Sequence, residues 1–239
     1  MSRHFYSDLQ FELPETRPLV ACNMVMSLDG KVTSGGALQP GSIGSAFDLQ
    51  TMQVIRSHFD AVLSGGNTVR QHPYYLGVSA ELEHARKERG LASQPLSVVL
   101  TRSGSLNPGT PLFKNPPRPP IVLTGAAGAA SLAPEIKAKA AVDIMEELSP
   151  SSICQLLFQK YGVRRLLVEG GPSVNYQFMQ AQLLDELFLT LAPTLVGLRT
   201  DLTLAMGSEV LAKPREAELV SLNQHGQELF LRYRFRWSL

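Results

Sequence analysis

The residues with the clearest chemical potential lie at the end of a short apolar run, where Glu169 precedes a Gly-Gly-Pro-Ser turn (170–173). The run predicts a strand that ends abruptly and reverses into a helix, since Pro suits the first helical position. Glycines let a ligand approach the backbone, and the free N–H groups of a helix N-terminus attract phosphate. The turn therefore predicts a phosphate site. The carboxylate at its rim is expected to orient a substrate or relay a proton.

Two further glycine-rich strand ends are predicted at Ser27–Lys31 and Ser64–Thr68, and a third strand ends at Thr101, directly before Arg102. In open α/β sheets, ligands bind outside the carboxyl ends of the strands, so these segments are expected to share one rim. A guanidinium flanked by the hydroxyls of Thr101 and Ser103 suits a phosphate. The combination predicts a nucleotide site and favours NADPH over NADH.

Other chemistries find little support in the sequence. The five histidines and two cysteines show no metal-ligand spacing, and no GxGxxG, P-loop or GxSxG motif occurs. A net charge of +1 argues against nucleic acid as the main partner. Cys22 and Cys154 fall in apolar patterns, which predicts free thiols in a reducing compartment. With neither a signal-peptide pattern nor a membrane-length apolar run, we expect a cytoplasmic protein.

Strands and helices alternate along most of the chain, which predicts a largely parallel sheet covered on both faces. Strands are expected at 19–28, 60–63, 96–101, 121–124, 142–145, 164–168 and 185–192. Helices are expected at 45–59, 80–89, 134–140, 149–161 and 172–181, with a short helical turn at 67–68. The last two strands, 216–222 and 228–235, predict a closing antiparallel hairpin.

The domain organisation is expected to be simple, with an N-terminal arm over 1–18 and one domain over 19–239. The Pro-rich segment 115–120 interrupts two strands of the same kind and is interpreted as a loop. The stretch 33–44 is longer than ordinary connections, and we expect it to act as a lid.

Three ordered motifs resemble a known family. They are the first strand NMVMSLDGK (23–31), the block from Asp48 and Arg56 to DAVLSGGNTVR (60–70), and EGGPS (169–173) with LDEL (184–187) behind it. Together they resemble the C-terminal reductase domain of the bifunctional riboflavin-biosynthesis deaminase/reductase, here without the deaminase half. The resemblance implies a dihydrofolate-reductase-like α/β fold: a mostly parallel central sheet, flanking helices and a C-terminal antiparallel hairpin. It also implies a homodimer.

The resemblance implies that NADPH lies on the glycine-rich strand ends. Thr68 would contact the cofactor, Arg102 and Ser103 would lie by the 2′-phosphate, and Val25 would offer backbone to the nicotinamide. The turn from Gly171 to Gln177 would wrap the pyrophosphate. The full cofactor set is Val25, Thr68, Arg102, Ser103, Gly170, Gly171, Pro172, Ser173, Val174 and Asn175.

The same resemblance implies that Arg56 reaches the substrate phosphate or base and Glu169 its ribose. Ser42 and Ser45 are further substrate-binding candidates. Glu169, Asp29 and Lys31 are the candidate catalytic residues, with Asp29 or Lys31 as proton donor unless water serves. No metal is expected.

One departure from the family pattern follows Thr68-Val69, where an Asp-Asp-Pro or Asp-Asn-Pro triplet is expected and Arg70-Gln71-His72-Pro73 stands. We interpret the lost acid as bearing on the substrate more than on the cofactor. The expected function is hydride transfer from NADPH to a heterocyclic or phosphorylated metabolite, first of all 5-amino-6-(5-phosphoribosylamino)uracil. A catalytically silent NADPH-binding module and a dihydrofolate- or pterin-type reductase are the alternatives.

Overall fold

The computed structural model describes residues 4–33, 43–197, 202–209 and 214–237. Nine strands lie within these ranges: β1 (Leu19–Met26), β2 (Ala61–Gly65), β3 (Leu96–Leu100), β4 (Ile121–Thr124), β5 (Ala141–Ile144), β6 (Arg165–Val168), β7 (Glu186–Leu191), β8 (Ala217–His225) and β9 (Glu228–Phe235). The helices described are α1 (Ala46–Arg56), α2 (Gly66–Gln71), α3 (Ala80–Glu88), α4 (Pro111–Lys114), α5 (Ala126–Ser131), α6 (Pro134–Lys139), α7 (Pro150–Tyr161) and α8 (Pro172–Gln180).

The described strands form one sheet in the order β5-β4-β3-β2-β6-β1-β7-β9-β8. The pairs from β5 through to β7 are parallel, and β9 and β8 add the antiparallel hairpin. This arrangement confirms the predicted mostly parallel α/β sheet. Strands β3 and β4 are neighbours in the same sheet, so the segment 115–120 is part of the connection between them, as expected for a loop. No helix among the described residues has the length and apolarity to cross a membrane.

Each face of the central sheet carries a hydrophobic layer because successive side chains point to opposite faces. Residues such as Val20, Leu166 and Val168 pack with Ile153 of α7 and Phe178 of α8. On the other face, Leu167, Phe188 and Phe230 pack with Ile55 of α1 and with Phe59. Helix α1 therefore covers one face of β6, β7 and β9, while α7 and α8 cover the opposite face.

The helices begin and end at the residue types that favour such positions. Ser45 caps α1 through its side chain, Ser149 caps α7, and Pro172 occupies the first turn of α8. Gly162 follows α7 in the left-handed conformation, with φ +67°. These signals explain why the predicted starts of α1, α7 and α8 agree with the structure to within one residue.

Several boundaries differ from prediction. Strand β1 ends at Met26 because Ser27 begins a turn, in which its carbonyl accepts from the Gly30 N–H at 3.0 Å. Helix α1 ends at Arg56, where the carbonyls of Arg56, Ser57 and Phe59 accept hydrogen bonds from the buried Arg86 guanidinium. The short helices α4 and α5 were not predicted.

The predicted arm is tied to the hairpin by a buried charged group. Tyr6 is buried in the layer under α1, and Arg232 donates to the Gln10 carbonyl at 2.8 Å. Arg232 also donates twice to Glu186, at 2.8 Å each, and Arg234 donates to the same carboxylate. The division into an arm over 1–18 and a domain over 19–239 stays a prediction.

Removing the Glu186 charge should destabilise the fold. The Glu186 side chain is only 2% exposed, and Glu186→Gln would leave two guanidinium groups without their counter-charge, at a cost of about 3 kcal/mol in the free energy of unfolding. Urea denaturation measures this. The exposed pair of Glu218 with Arg236 is the control, since Glu218→Gln should cost about 1 kcal/mol or less. Equal losses of unfolding free energy in Glu186→Gln and Glu218→Gln would contradict a stabilising role for the buried Glu186 charge.

Candidate active site

Two glycine-rich strand ends meet at the carboxyl edge of the sheet. The Gly65 N–H donates to the Gly170 carbonyl at 2.8 Å, which joins the end of β2 to the turn after β6. Gly170 has φ +86°, a conformation that favours glycine, and the Gly170–Gly171 peptide is cis. A Cβ on Gly171 would lie 3.1 Å from Thr68 Oγ1, and one on Gly65 would lie 3.1 Å from Val174 Cγ2. The three glycines together form a closely packed floor.

A cavity of about 510 Å³ opens above this floor. Its walls are the N-terminus of α8, helix α2, the turn after β3 and residues Leu202 and Met206. The structure brings together there seven of the ten residues predicted to bind the cofactor: Thr68, Arg102, Ser103, Gly171, Pro172, Ser173 and Val174.

The other three predicted cofactor residues lie behind the cavity or away from it. Gly170 is part of the floor, and a Cβ there would lie 3.8 Å from Met24 Sδ. The Asn175 side chain is buried and donates to the Leu204 carbonyl at 2.8 Å, which holds the 202–209 segment against α8. Val25 pairs with Thr190 between β1 and β7. Asn175 therefore shapes the cavity rather than lining it.

The cavity is electropositive. Arg70 and Arg102 line it, and the described lining residues include no carboxylate. The N-cap of α8, Gly171, provides no side-chain hydrogen bond to the first turn of the helix, so its N–H groups and dipole favour an anion. Arg70 donates to the Ser105 carbonyl at 3.1 Å and pairs with Asn67.

Arg70 was not predicted as a site residue, although its type and its position two residues after Thr68 would have allowed it. Gln71 and Gln177 also line the cavity. Gln177 was included only in the pyrophosphate turn that the resemblance implied. The segment 202–209 carries no motif, so the contribution of Leu202 and Met206 depends on tertiary structure alone.

Arg56 and Glu169, predicted as separate substrate contacts, form a bidentate ion pair with each other. The guanidinium donates to the two carboxylate oxygens at 2.8 and 2.5 Å, and the side chains are 10% and 8% exposed. Arg56 also donates to the Gly77 carbonyl at 3.3 Å. The pair links α1 to the end of β6. It fixes the Glu169 carboxylate at the rim of the sheet, one residue before the cavity floor.

Ser45 combines its role as the cap of α1 with a contact to Glu228 that the sequence does not reveal. Its hydroxyl donates to Glu228 at 2.5 Å and accepts from the N–H groups of Phe47 and Asp48, while its own N–H donates to Glu228 at 2.8 Å. Ser45 is therefore a helix cap that anchors the buried Glu228 carboxylate, and its role in substrate binding stays a prediction.

Asp29 and Lys31 lie on the turn after β1. The exposed Asp29 carboxylate accepts from Ser27 Oγ at 2.6 Å and from the N–H groups of Val196 and Gly197. These donors hold its pKa well below the usual range. An acid that stays ionised is a poor proton donor, so Asp29 instead positions the 196–197 loop. Lys31 bridges to Thr203 through its backbone.

Ser42 lies outside the described residues, as does most of the predicted lid, 34–42. Within the described ranges, no three His, Cys, Asp or Glu side chains come together as a metal site. Cys22 and Cys154 are free and buried.

Asp48 belongs to the second sequence motif but not to the predicted candidate set, and it has an unusual electrostatic environment. Burial raises its pKa to about 6, and the charges of Glu228 and Glu169 act in the same direction against a hydrogen bond from Thr190. In the sequence, an acid in the first turn of a helix is ordinarily explained by the helix dipole. The groups that alter the pKa of Asp48 come from elsewhere in the chain: Glu169 follows β6, Thr190 lies on β7 and Glu228 lies on β9.

Comparisons with known proteins agree with this geometry. The family model described as RibD C-terminal domain matches residues 18–231. The 2,5-diamino-6-ribosylamino-4(3H)-pyrimidinone 5′-phosphate reductase of Archaeoglobus fulgidus is 31% identical over 202 residues, covering 83% of this chain and 91% of the relative.

Solved structures share the fold. A pyrimidine reductase-like protein from Corynebacterium diphtheriae superposes with a TM-score of 0.81 at 21% identity, covering 92% of this chain and 93% of that one. RibD of Acinetobacter baumannii gives a TM-score of 0.76 at 23% identity, covering 93% of this chain and 59% of that one. The predicted resemblance and the oxidoreductase class are confirmed by the family match and the curated relatives. The chain belongs to the RibD C-terminal domain family.

Proposed function

We propose that this protein is an NADPH-dependent reductase acting on 2,5-diamino-6-ribosylamino-4(3H)-pyrimidinone 5′-phosphate, whose ribosyl group it converts to a ribityl chain. The substrate is that of the curated Archaeoglobus relative. The 5-amino-6-(5-phosphoribosylamino)uracil expected from the sequence carries the same phosphorylated sugar on a ring with one oxo group in place of an amino group. The observation that carries the proposal is the cationic, glycine-floored cavity directly beside the Arg56–Glu169 pair.

The cavity suits a nicotinamide dinucleotide. Its glycine floor leaves room that a Cβ would fill, and the first turn of α8 presents N–H groups to a pyrophosphate. When bound, the reduced cofactor supplies a hydride to a substrate carbon. Thr68 and the 171–175 turn would hold the pyrophosphate half.

The phosphate on the adenosine ribose distinguishes NADPH from NADH. A site for NADH commonly presents an acidic residue to the free 2′-hydroxyl, whereas an arginine accommodates the 2′-phosphate. Here β3 is followed by Thr101, Arg102 and Ser103, and the guanidinium of Arg70 lies on the same wall. This cationic wall favours NADPH.

The Arg56–Glu169 pair would position the substrate. Arg56 neutralises Glu169 and fixes its orientation, so the carboxylate is available to a sugar hydroxyl without the freedom of an exposed side chain. Glu169 is bonded through its N–H to the Leu63 carbonyl at 2.9 Å, which ties its backbone to β2. The rest of the substrate would lie over α1.

The predicted homodimeric state and the predicted cytoplasmic location both stay predictions.

The direct test of the proposed function is oxidation of NADPH by the purified protein in the presence of the diaminopyrimidinone, with the uracil analogue and dihydrofolate as parallel substrates. We expect turnover of at least one of the two ribosylamino compounds. NADPH binding without turnover of any of them would favour a silent binding module, and turnover of dihydrofolate alone would favour a pterin-type reductase.

Arg102→Ala should weaken NADPH binding without affecting NADH. The loss of a charged hydrogen bond to the 2′-phosphate is expected to cost about 1.5–3 kcal/mol, or about tenfold to 150-fold in Kd. Titration of the cofactor's fluorescence measures both Kd values. Arg236→Ala, which removes an exposed arginine at the end of the hairpin, should change neither. An equal loss for NADPH and NADH would remove Arg102 from the 2′-phosphate site.

Glu169→Gln should lower kcat while leaving the Kd for NADPH unchanged, because the carboxylate lies beside the cofactor cavity and not in its lining. We expect a loss of about tenfold to 100-fold, the scale of one charged hydrogen bond. Glu218→Gln is the matched control for the same change at an exposed site. Unaltered turnover in Glu169→Gln would exclude the carboxylate from substrate positioning.

A further inference from the structure

We propose that Asp48 is the proton donor of this site, protonating the sugar ring oxygen as the ring of the ribosylamino substrate opens. The assignment rests on the function proposed above and adds a residue to it. It follows from where α1 places the side chain relative to three strands.

Side-chain alternation brings the partners of Asp48 to one face of the sheet. Leu167, Phe188 and Phe230 all pack on the face that α1 covers. Two residues along from each of them, toward the carboxyl edge of the parallel strands, stand Glu169, Thr190 and Glu228. Because successive strand residues alternate between faces, these three polar residues also lie on the α1 side.

Asp48 faces these groups from the first turn of α1. Its carboxyl interacts with the hydroxyl of Thr190 and with the charges of Glu228 and Glu169. Gly44 lies against it, since a Cβ on Gly44 would be 2.3 Å from Asp48 Oδ2. Asp48 thus faces Glu169, the residue before the cavity floor, from the first turn of the helix that carries Arg56 in its last turn.

The neighbours leave Asp48 as the acid that holds a proton. Both oxygens of Glu228 accept hydrogen bonds from Ser45, and both oxygens of Glu169 accept from Arg56. Both oxygens of each of those carboxylates are therefore already occupied as hydrogen-bond acceptors. Asp48 is half-buried beside two negative charges with no guanidinium of its own among the described contacts, and its pKa is raised to about 6.

The reaction of a ribosylamine needs one proton and one hydride. The proton of the Asp48 carboxyl passes to the ring oxygen, the bond from that oxygen to C1 breaks, and the nitrogen lone pair forms a C=N bond to C1. The hydride supplied by NADPH adds to C1, and the electrons of the C=N bond return to nitrogen. The product is a ribitylamine, the cofactor is oxidised, and the Asp48 carboxylate regains its proton from water.

Asp48→Asn tests this step, because the amide keeps the shape of the side chain and cannot donate the proton of an acid. We expect kcat to fall by about 100-fold or more, the scale of general acid catalysis, with the Kd for NADPH unchanged. In the wild-type protein kcat should fall as pH rises above about 6, where Asp48 loses its proton, and this dependence should be absent in Asp48→Asn. Asp143→Asn, on the far edge strand β5, is the matched control and should retain wild-type kcat.

Two measurements separate chemistry from structure. Formate or acetate should restore part of the activity of Asp48→Ala in proportion to its concentration, as expected for a missing acid and not for a misfolded site. The pKa of Asp48 is higher in the folded state than in the unfolded chain, so the folded state binds more protons between about pH 4 and pH 6. As the pH rises through this window, the urea midpoint should therefore fall further in the wild-type protein than in Asp48→Asn. Glu169, Glu228 and Arg56 are present in both proteins.

The outcomes distinguish this assignment from the proposed function. If the wild-type protein turns over neither ribosylamino substrate, the proposed function fails and the role of Asp48 fails with it. If the wild-type protein is active and Asp48→Asn keeps kcat within about twofold with the same pH profile, Asp48 is not the donor and the proposed function stands. A loss of kcat without acid rescue and with equal urea curves would also overturn the assignment.

Discussion

The hydrogen bond from the Gly65 N–H to the Gly170 carbonyl is the contact on which the site depends. It brings the ends of β2 and β6 close together, so that a Cβ on Gly65 would lie 3.1 Å from Val174 Cγ2 and 3.5 Å from the Gly171 backbone nitrogen. The N-terminus of α8 and the start of α2 then lie on either side of one floor. Without this approach, the Thr68 hydroxyl and the 171–174 turn would belong to separate loops, and the cavity would have no common base.

The proposed cofactor half and the proposed substrate half of the site meet at this edge, where the chain leaves β6. Glu169 points to the α1 side, where it meets Arg56, and the next residues turn over the floor into α8. One short segment would therefore hold both proposed ligands in a fixed relation. Hydride transfer gains most from such fixed proximity, and a rigid ion pair on one side of a rigid turn provides it.

The fold and the glycine-rich turns that line the cavity could be predicted from the sequence because their signals are local. Apolar runs, Gly-Gly turns and capping residues specify strands, turns and helix starts within a few residues of one another. The contacts on the α1 side of the sheet could not be predicted, since their geometry arises between elements. That Arg56 would pair with Glu169, 113 positions away, or that Ser45 would anchor Glu228, 183 positions away, is set by how α1 lies on the sheet.

The departure from the family pattern after Thr68-Val69 illustrates the same limit. From the sequence alone, the missing acid at 70–73 is expected to affect which substrate is used more than which cofactor is bound. In the structure, Arg70 and Gln71 line the cavity beside Thr101 and Arg102, whereas the Arg56–Glu169 pair lies on the α1 side of the sheet. Arginine here adds positive charge to the wall proposed to receive the adenosine phosphate. The departure therefore alters the electrostatics of the cofactor half, and the ion pair proposed to position the sugar is intact.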